Sequence, residues 1–272
     1  MTEIEPPSLA ILLAETEPAY VLGFPAYVAL TIASQPRDAT LTRVPVVGWQ
    51  GTRGMVGVTL IGEARGDQVF HVDPLPAADP DLGVPVNRLE AGEQRRVLVD
   101  LTEILPDGLA SGAYRAEVVF GPQSIRTAPT SLRMVFREAT KQEDDERRVV
   151  VHEQEQRGSW GRWTRLPPLD PTTIRAPRGN DDPLRLNLVL RLLFHASLPL
   201  AQIPMSLLDR LDGLFEPERE GLKAELLAAR GNESAFADQV ANVKSRFPAL
   251  TRWMNQLLAG ESEIAWHRGI HP

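Results

Sequence analysis

The chain has 272 residues, of which 43% are hydrophobic and 24% charged, with a net charge of −7 and no cysteine. That composition is globular and long enough for one large or two ordinary domains. The missing cysteines exclude disulfides, thiolate metal centres and a cysteine nucleophile, and the acidic balance argues against a nucleic-acid partner. No run of about 18 apolar residues is present to span a membrane. The acidic, proline-containing opening Met1–Pro7 is unlike a secretory signal, so a cytoplasmic location is the expectation.

Ser8–Ala14 is a short apolar run that reads as a first strand, punctuated by Glu17-Pro18 and Gly23-Phe24-Pro25. Tyr27–Ala33 then alternates, with Val28, Leu30 and Ile32 on one face, the two-residue period of a half-buried strand. Leu41–Trp49 carries valines around Pro45, which confines it to a sheet edge or a bend. Gly51–Gly54 connects it to Met55–Ile61, whose Val56, Val58 and Leu60 face inward, and Gln68–Val72 is a further short strand. From Asp73 to Gly92 the chain is rich in Pro, Asp and Gly without periodicity, which predicts a long loop. Arg95–Leu101 and Ser131–Phe136 complete the strands, the first with Val97, Val99 and Leu101 inward, the second with Leu132, Met134 and Phe136.

Between those two strands, Leu105–Phe120 delivers a tyrosine into a strand from a turn. Pro106-Asp107-Gly108 and Ser111-Gly112 are turn chemistry. Tyr114, Ala116, Val118 and Phe120 then share one face, while Arg115 and Glu117 point the other way. This stretch resembles the penultimate strand of an immunoglobulin-like sandwich. The resemblance implies a tyrosine corner, in which the Tyr114 hydroxyl bonds back to the preceding loop. It covers roughly the first half of the chain and concerns the fold only. Seven or eight strands at this spacing are what a sandwich needs.

Glu138–Arg148 is a charge run of both signs, read as a short exposed helix or a solvated linker, and Thr164–Asp182, rich in proline, reads as irregular linker. Beyond it, Asp182-Pro183 is a helix-start signal. The leucines at 184, 186, 188 and 190 alternate as in a strand, so Leu184–Phe194 stays ambiguous, with the cap favouring helix. Pro204 opens a second helix carrying Leu207, Leu208, Leu211, Leu214 and Phe215; Pro217 opens a third, which Gly231 stops. Asn232 caps a fourth, and Pro248 starts a fifth that ends before Gly260. The expected organisation is a multidomain α+β protein: an immunoglobulin-like antiparallel sandwich over 1–138, a charged and proline-rich linker over 139–182, and a small helical bundle over 183–272.

Chemistry-bearing patterns are sparse. Gly51–Gly57 lacks the Lys-Ser/Thr of a phosphate loop and precedes a strand instead of a helix. Gly158-Ser159-Trp160-Gly161 has its serine one place off a nucleophile elbow. His71 and Asp73 share a strand face and could both hold a metal, but no third ligand stands at a recognisable spacing. Glu263, His267 and His271 repeat every four residues beside Gly269 and Pro272, which undermine a helix there. His195 ends an apolar run, and Asp73, Asp79 and Asp81 lack the order of a calcium loop. No pattern calls for a cofactor or a metal.

Trp160, Arg162 and Trp163 stand out, because tryptophan and arginine are the residue types enriched in binding hot spots. They read either as a staple holding the linker or as anchors for a protein partner. Arg133 and Arg137 on the last strand offer a second partner-facing edge. A non-enzymatic interaction or adaptor protein is therefore the primary expectation. The alternatives are a hydrolase drawing on His71, Asp73 or His195, and a carbohydrate-binding protein presenting Trp49 or Trp160.

Overall fold

The computed structural model describes residues 8–35, 39–42, 55–64, 67–74, 86–101, 104–106, 108–121, 126–145, 189, 193, 199–262 and 264. The chain divides into two units, Met1–Glu138 and Ala139–Pro272, and its class is α+β, with sheets in the first unit and helices in the second. Among the described residues the first unit holds ten strands: β1 (Ser8–Thr16), β2 (Tyr20–Val21), β3 (Tyr27–Gln35), β4 (Ala39–Thr42), β5 (Val56–Gly62), β6 (Gln68–Val72), β7 (Val86–Leu89), β8 (Gln94–Asp100), β9 (Gly112–Phe120) and β10 (Thr130–Arg137). They make a three-stranded sheet β1-β3-β8, a five-stranded sheet β2-β10-β9-β5-β6 and a separate pair β4-β7. Every strand pair is antiparallel except β2–β10, where Tyr20 lies beside Phe136 and Val21 beside Arg137 in parallel.

Alternation decides which faces meet. Val28, Leu30, Ile32, Val97 and Val99 of one sheet join Val56, Val58, Leu60, Ala116, Val118, Phe120, Met134 and Phe136 of the other in a single cluster. Two antiparallel sheets sharing one apolar core make a β-sandwich. Burying each large side chain contributes roughly 1.5–3 kcal/mol, so the inward sets expected from the period of two are also the main source of stability here.

The tyrosine at the head of β9 behaves as its position suggests. Its hydroxyl donates to the Ala110 carbonyl at 2.8 Å, and its ring meets Phe136 edge-on at 5.8 Å between centroids. A second tyrosine reinforces the same end of the core. Tyr20 donates to the Tyr27 carbonyl at 2.5 Å, accepts the Glu17 amide at 3.0 Å, and stacks against Phe136 at 5.4 Å. Burial pushes its phenol well above the ordinary tyrosine range.

Two strands depart from the expectations. β7 lies inside the stretch read as loop, where Val86–Leu89 pairs with Ala39–Thr42. Four residues directly after Pro85 are too few to display a period, although proline is well tolerated at a strand start. β2 is shorter still and owes its form to β10, not to local propensity. Of the expected strand Leu41–Trp49, Leu41 and Thr42 end β4, and residues 43–50 lie outside the described residues. On β1, Leu12 is an extra residue between the pairs Ile11–Ile32 and Leu13–Thr31. That bulge leaves Leu12 and Leu13 about half exposed.

In the second unit, residues 141–145 form a helical turn held by a capping box. The Thr140 hydroxyl accepts the Glu143 amide, and the Glu143 carboxylate accepts the Thr140 amide. Val189 and Leu193 are helical and buried, and the remainder of Leu184–Phe194 lies outside the described residues. The single second helix expected from Pro204 is replaced by short 3-10 turns at Leu200–Gln202, Met205–Arg210 and Gly213–Phe215. The helical path breaks at Leu211 and Asp212, both extended, and a new turn starts at Gly213 with φ +54°.

Three α-helices follow: α1 (Glu216–Ala229), α2 (Glu233–Arg246) and α3 (Thr251–Leu258). Pro217 sits in the first turn of α1. The Asn232 side chain caps α2 by accepting the Ala235 amide at 3.3 Å. Gly231 ends α1 at φ +66°.

Buried polar residues lock these helices together. On α1, Glu225 accepts the Trp253 indole N–H at 2.9 Å and the Ser262 hydroxyl at 2.6 Å. Gly221, one turn earlier, provides the flat seat for that indole: a Cβ there would lie 2.2 Å from Trp253 Cζ3. Glu220 accepts from Gln239 at 2.8 Å and from Arg219 Nε at 2.9 Å. Burial works to raise its carboxyl, but those two hydrogen bonds and the charges of Arg219 and Lys223 outweigh it and hold the group below the usual glutamate value.

Candidate functional site

The outward face of the five-stranded sheet carries the first unit's concentration of chemically competent side chains. Register explains the grouping. Ser131, Glu117, Thr59 and His71 stand directly opposite one another across β10, β9, β5 and β6. One pleat along, Arg133, Arg115 and Ile61 form the next row. All of these residues alternate with the core-facing sets, so the pleat that buries Leu60, Ala116 and Leu132 or Met134 turns this mixed-charge lattice outward.

At the β6 side the row ends in a hydroxyl–imidazole–carboxylate chain. His71 Nδ1 lies 2.8 Å from the Thr59 hydroxyl, and Nε2 lies 3.3 Å from Asp73 Oδ2. A neutral imidazole satisfies both contacts in one tautomer, with Nε2–H donating to Asp73 and Nδ1 accepting from Thr59. Arg126 approaches Asp73 at 3.6 Å. Gly57 helps to place this group. A Cβ there would meet Pro74 Cδ at 2.6 Å and Val119 Cγ2 at 2.7 Å, so glycine lets Pro74 seat against the sheet and positions Asp73 next to it. The side chains of His71 and Asp73 are 47% and 55% exposed, which leaves the chain as a surface hydrogen-bonding array in contact with water.

At the β10 side a groove of about 440 Å³ is lined by Ile61, Gly62, Glu63, Arg115, Ser131, Leu132 and Arg133. Arg133 Nε donates to both Glu63 oxygens, at 3.0 and 3.3 Å. Arg115 lies 3.7 Å from Glu117, an ion-pair distance but longer than a hydrogen bond.

The sequence-derived candidates distribute unevenly. His71 and Asp73 do come together, as a pair with each other. Among the described residues there is no cluster of three or more His, Asp or Glu fit for a metal ion. Trp160, Arg162 and Trp163 lie outside the described residues, as do Trp49, Asp79, Asp81, Ser159, His195, Glu263, His267 and His271. Arg133 lines the groove, whereas Arg137 donates to the Glu138 carbonyl at 3.1 Å. Thr59, Arg115 and Glu63 did not stand out in the sequence, because only the strand register brings them to these neighbours. No helix among the described residues is long and apolar enough to cross a membrane. Comparison of the chain with protein-family models and with curated proteins finds no match.

Proposed function

We propose that this protein is a non-enzymatic interaction module acting in the cytoplasm. Its immunoglobulin-like sandwich offers the outward face of the five-stranded sheet to a protein partner. The fold part of this reading is supported by strand order: β1-β3-β8 opposite β2-β10-β9-β5-β6, with the first segment of the chain shared between sheets. The Tyr114 bond to Ala110 supports it further. Trp160, Arg162 and Trp163 act as additional anchors, by the residue-type argument that singles them out.

The observation that carries the interaction reading is the lattice of hydroxyl, imidazole, carboxylate and guanidinium groups spanning four strands, with a groove at one end. That face is polar, and strand register fixes which of its groups stand side by side. The test is site-specific photo-crosslinking in cells from Thr59 and from Ser131, with Leu258 on α3 as the control position. A discrete adduct formed from both sheet positions and absent from the control is expected, and Trp160→Ala weakens its yield. If the sheet positions give no adduct beyond the control, the reading fails.

The Thr59–His71–Asp73 chain favours one second reading, hydrolysis with Thr59 as nucleophile and His71 as base. That reading requires an ester-cleaving activity that Thr59→Val and His71→Gln both abolish.

A further inference from the structure

We propose that the groove between β5, β9 and β10 is a receptor for the C-terminal carboxylate of a peptide whose last side chain is apolar. This deepens, and rests on, the interaction reading above. Arg115 and Arg133 are directly opposite in the β9–β10 register, on the same outward face. Like charges so placed oppose each other, and the fold meets that repulsion only in part. Glu63 occupies Nε of Arg133, while the terminal nitrogens of Arg133 and the whole guanidinium of Arg115 have no hydrogen-bond partner among the described residues. Two planar donor forks therefore face one space with their hydrogen-bonding capacity open. A carboxylate is the group that matches them, through short charge-assisted bonds.

The remaining lining says what the carboxylate is attached to. Ile61 gives the groove an apolar wall, Ser131 adds a hydroxyl, and Gly62 contributes no side-chain bulk. A volume of about 440 Å³ is in the range that takes a drug-sized ligand, about 300–1,000 Å³, and exceeds what a short free acid fills. The carboxylates of Glu63 and Glu117 beside the arginines disfavour a ligand with several negative charges. One terminal carboxylate next to an apolar side chain satisfies all of these conditions, in the manner of other carboxylate-end receptors.

The test is titration of the full-length protein, followed by two-dimensional amide NMR. The probes are acetyl-Gly-Gly-Leu with a free carboxylate, the same peptide as its C-terminal amide, and sodium valerate. The acid is expected to shift amides of Ile61 to Glu63, Arg115 and Ser131 to Arg133, and to bind at least about tenfold more tightly than the amide. Arg115→Gln and Arg133→Gln should each weaken the acid by about tenfold, while Arg126→Gln, in the loop before β10 beside Asp73, leaves it unchanged. Should a glutamine variant fail to fold, Arg115→Lys keeps the charge without the fork and is expected to bind more weakly than the parent. Equal binding of acid and amide, or acid binding indifferent to both arginine variants, overturns the proposal. Valerate binding as tight as the peptide overturns its assignment to a peptide end. A partner cross-linked from Ser131 with no dependence on the two arginines would sink the groove while leaving the interaction reading intact. Carboxylate binding without any cross-linked partner would do the reverse.

Discussion

Gly221→Ala sets helix propensity against packing. In an exposed helix interior the exchange stabilises by about 1 kcal/mol. Here the added methyl would lie 2.2, 2.6 and 2.8 Å from Cζ3, Cη2 and Cε3 of Trp253, distances that real carbon contacts do not reach. The indole cannot slide freely, because its N–H is tied to Glu225 at 2.9 Å and the residue is buried. Overpacking a core costs about 1–3 kcal/mol, and displacing a hydrogen bond to a charged group about 1.5–3 more. After the propensity gain is subtracted, the variant should lose about 1.5–5 kcal/mol. Denaturant unfolding of the full chain, followed by far-ultraviolet circular dichroism, reads the helical transition. In a Trp253→Leu background the same alanine should cost nothing or stabilise slightly, since the clash is gone. A Gly221→Ala protein about 1 kcal/mol more stable than the parent, or equal losses in both backgrounds, would refute the seat-and-indole account.

Two further outcomes follow from the hydrogen bonds described. Tyr114→Phe removes the bond to Ala110 while keeping the ring against Phe136, so it should cost about 1 kcal/mol, whereas Tyr114→Ala should cost about 3–5; denaturant midpoints separate the two. Glu220 is held below its usual pKa, so its contribution is present above the unfolded value and lost as pH falls through the folded one. Glu220→Gln should therefore lower stability near neutral pH, with the gap to the parent closing below about pH 4. Midpoints measured across that range check it, and a gap that widens on acidification would contradict the network.

The long strands were legible because burial on one face imposes a period of two: Val56-x-Val58-x-Leu60 and Tyr114-x-Ala116-x-Val118-x-Phe120 are both core-facing as read. β2 and β7 were not, since two and four residues are too few to carry a period and exist as strands through their partners. In the helical unit the leucine stripe from Leu207 to Phe215 spoke for one helix, yet the backbone runs extended through Leu211 and Asp212 and splits it into 3-10 turns, a break that side-chain periodicity does not register. The site was legible only where its members are close in sequence. His71 and Asp73 are two apart and meet. Thr59 reaches His71, and Arg133 reaches Glu63, across 12 and 70 residues, which takes the β5–β6 pairing and the order of β10, β9 and β5 to predict.

The parallel pairing of β2 with β10 also orders events in time. Tyr20 and Val21 find their partners only at Phe136 and Arg137, the last strand of the unit. A ribosome delivering the chain from its N-terminus therefore leaves this clasp open until the whole sandwich has emerged. Until then the Tyr20 ring lacks Phe136, and β9 lacks the neighbour that fills one of its edges. Such long-range closure is slow, so the nascent first unit spends that interval with an unpaired strand edge on show. In the second unit, by contrast, α1, α2 and α3 follow within a few residues of one another. Maturation of the first half is thus gated by its own final strand, and truncations just short of Thr130 should yield chains that chaperones hold instead of release.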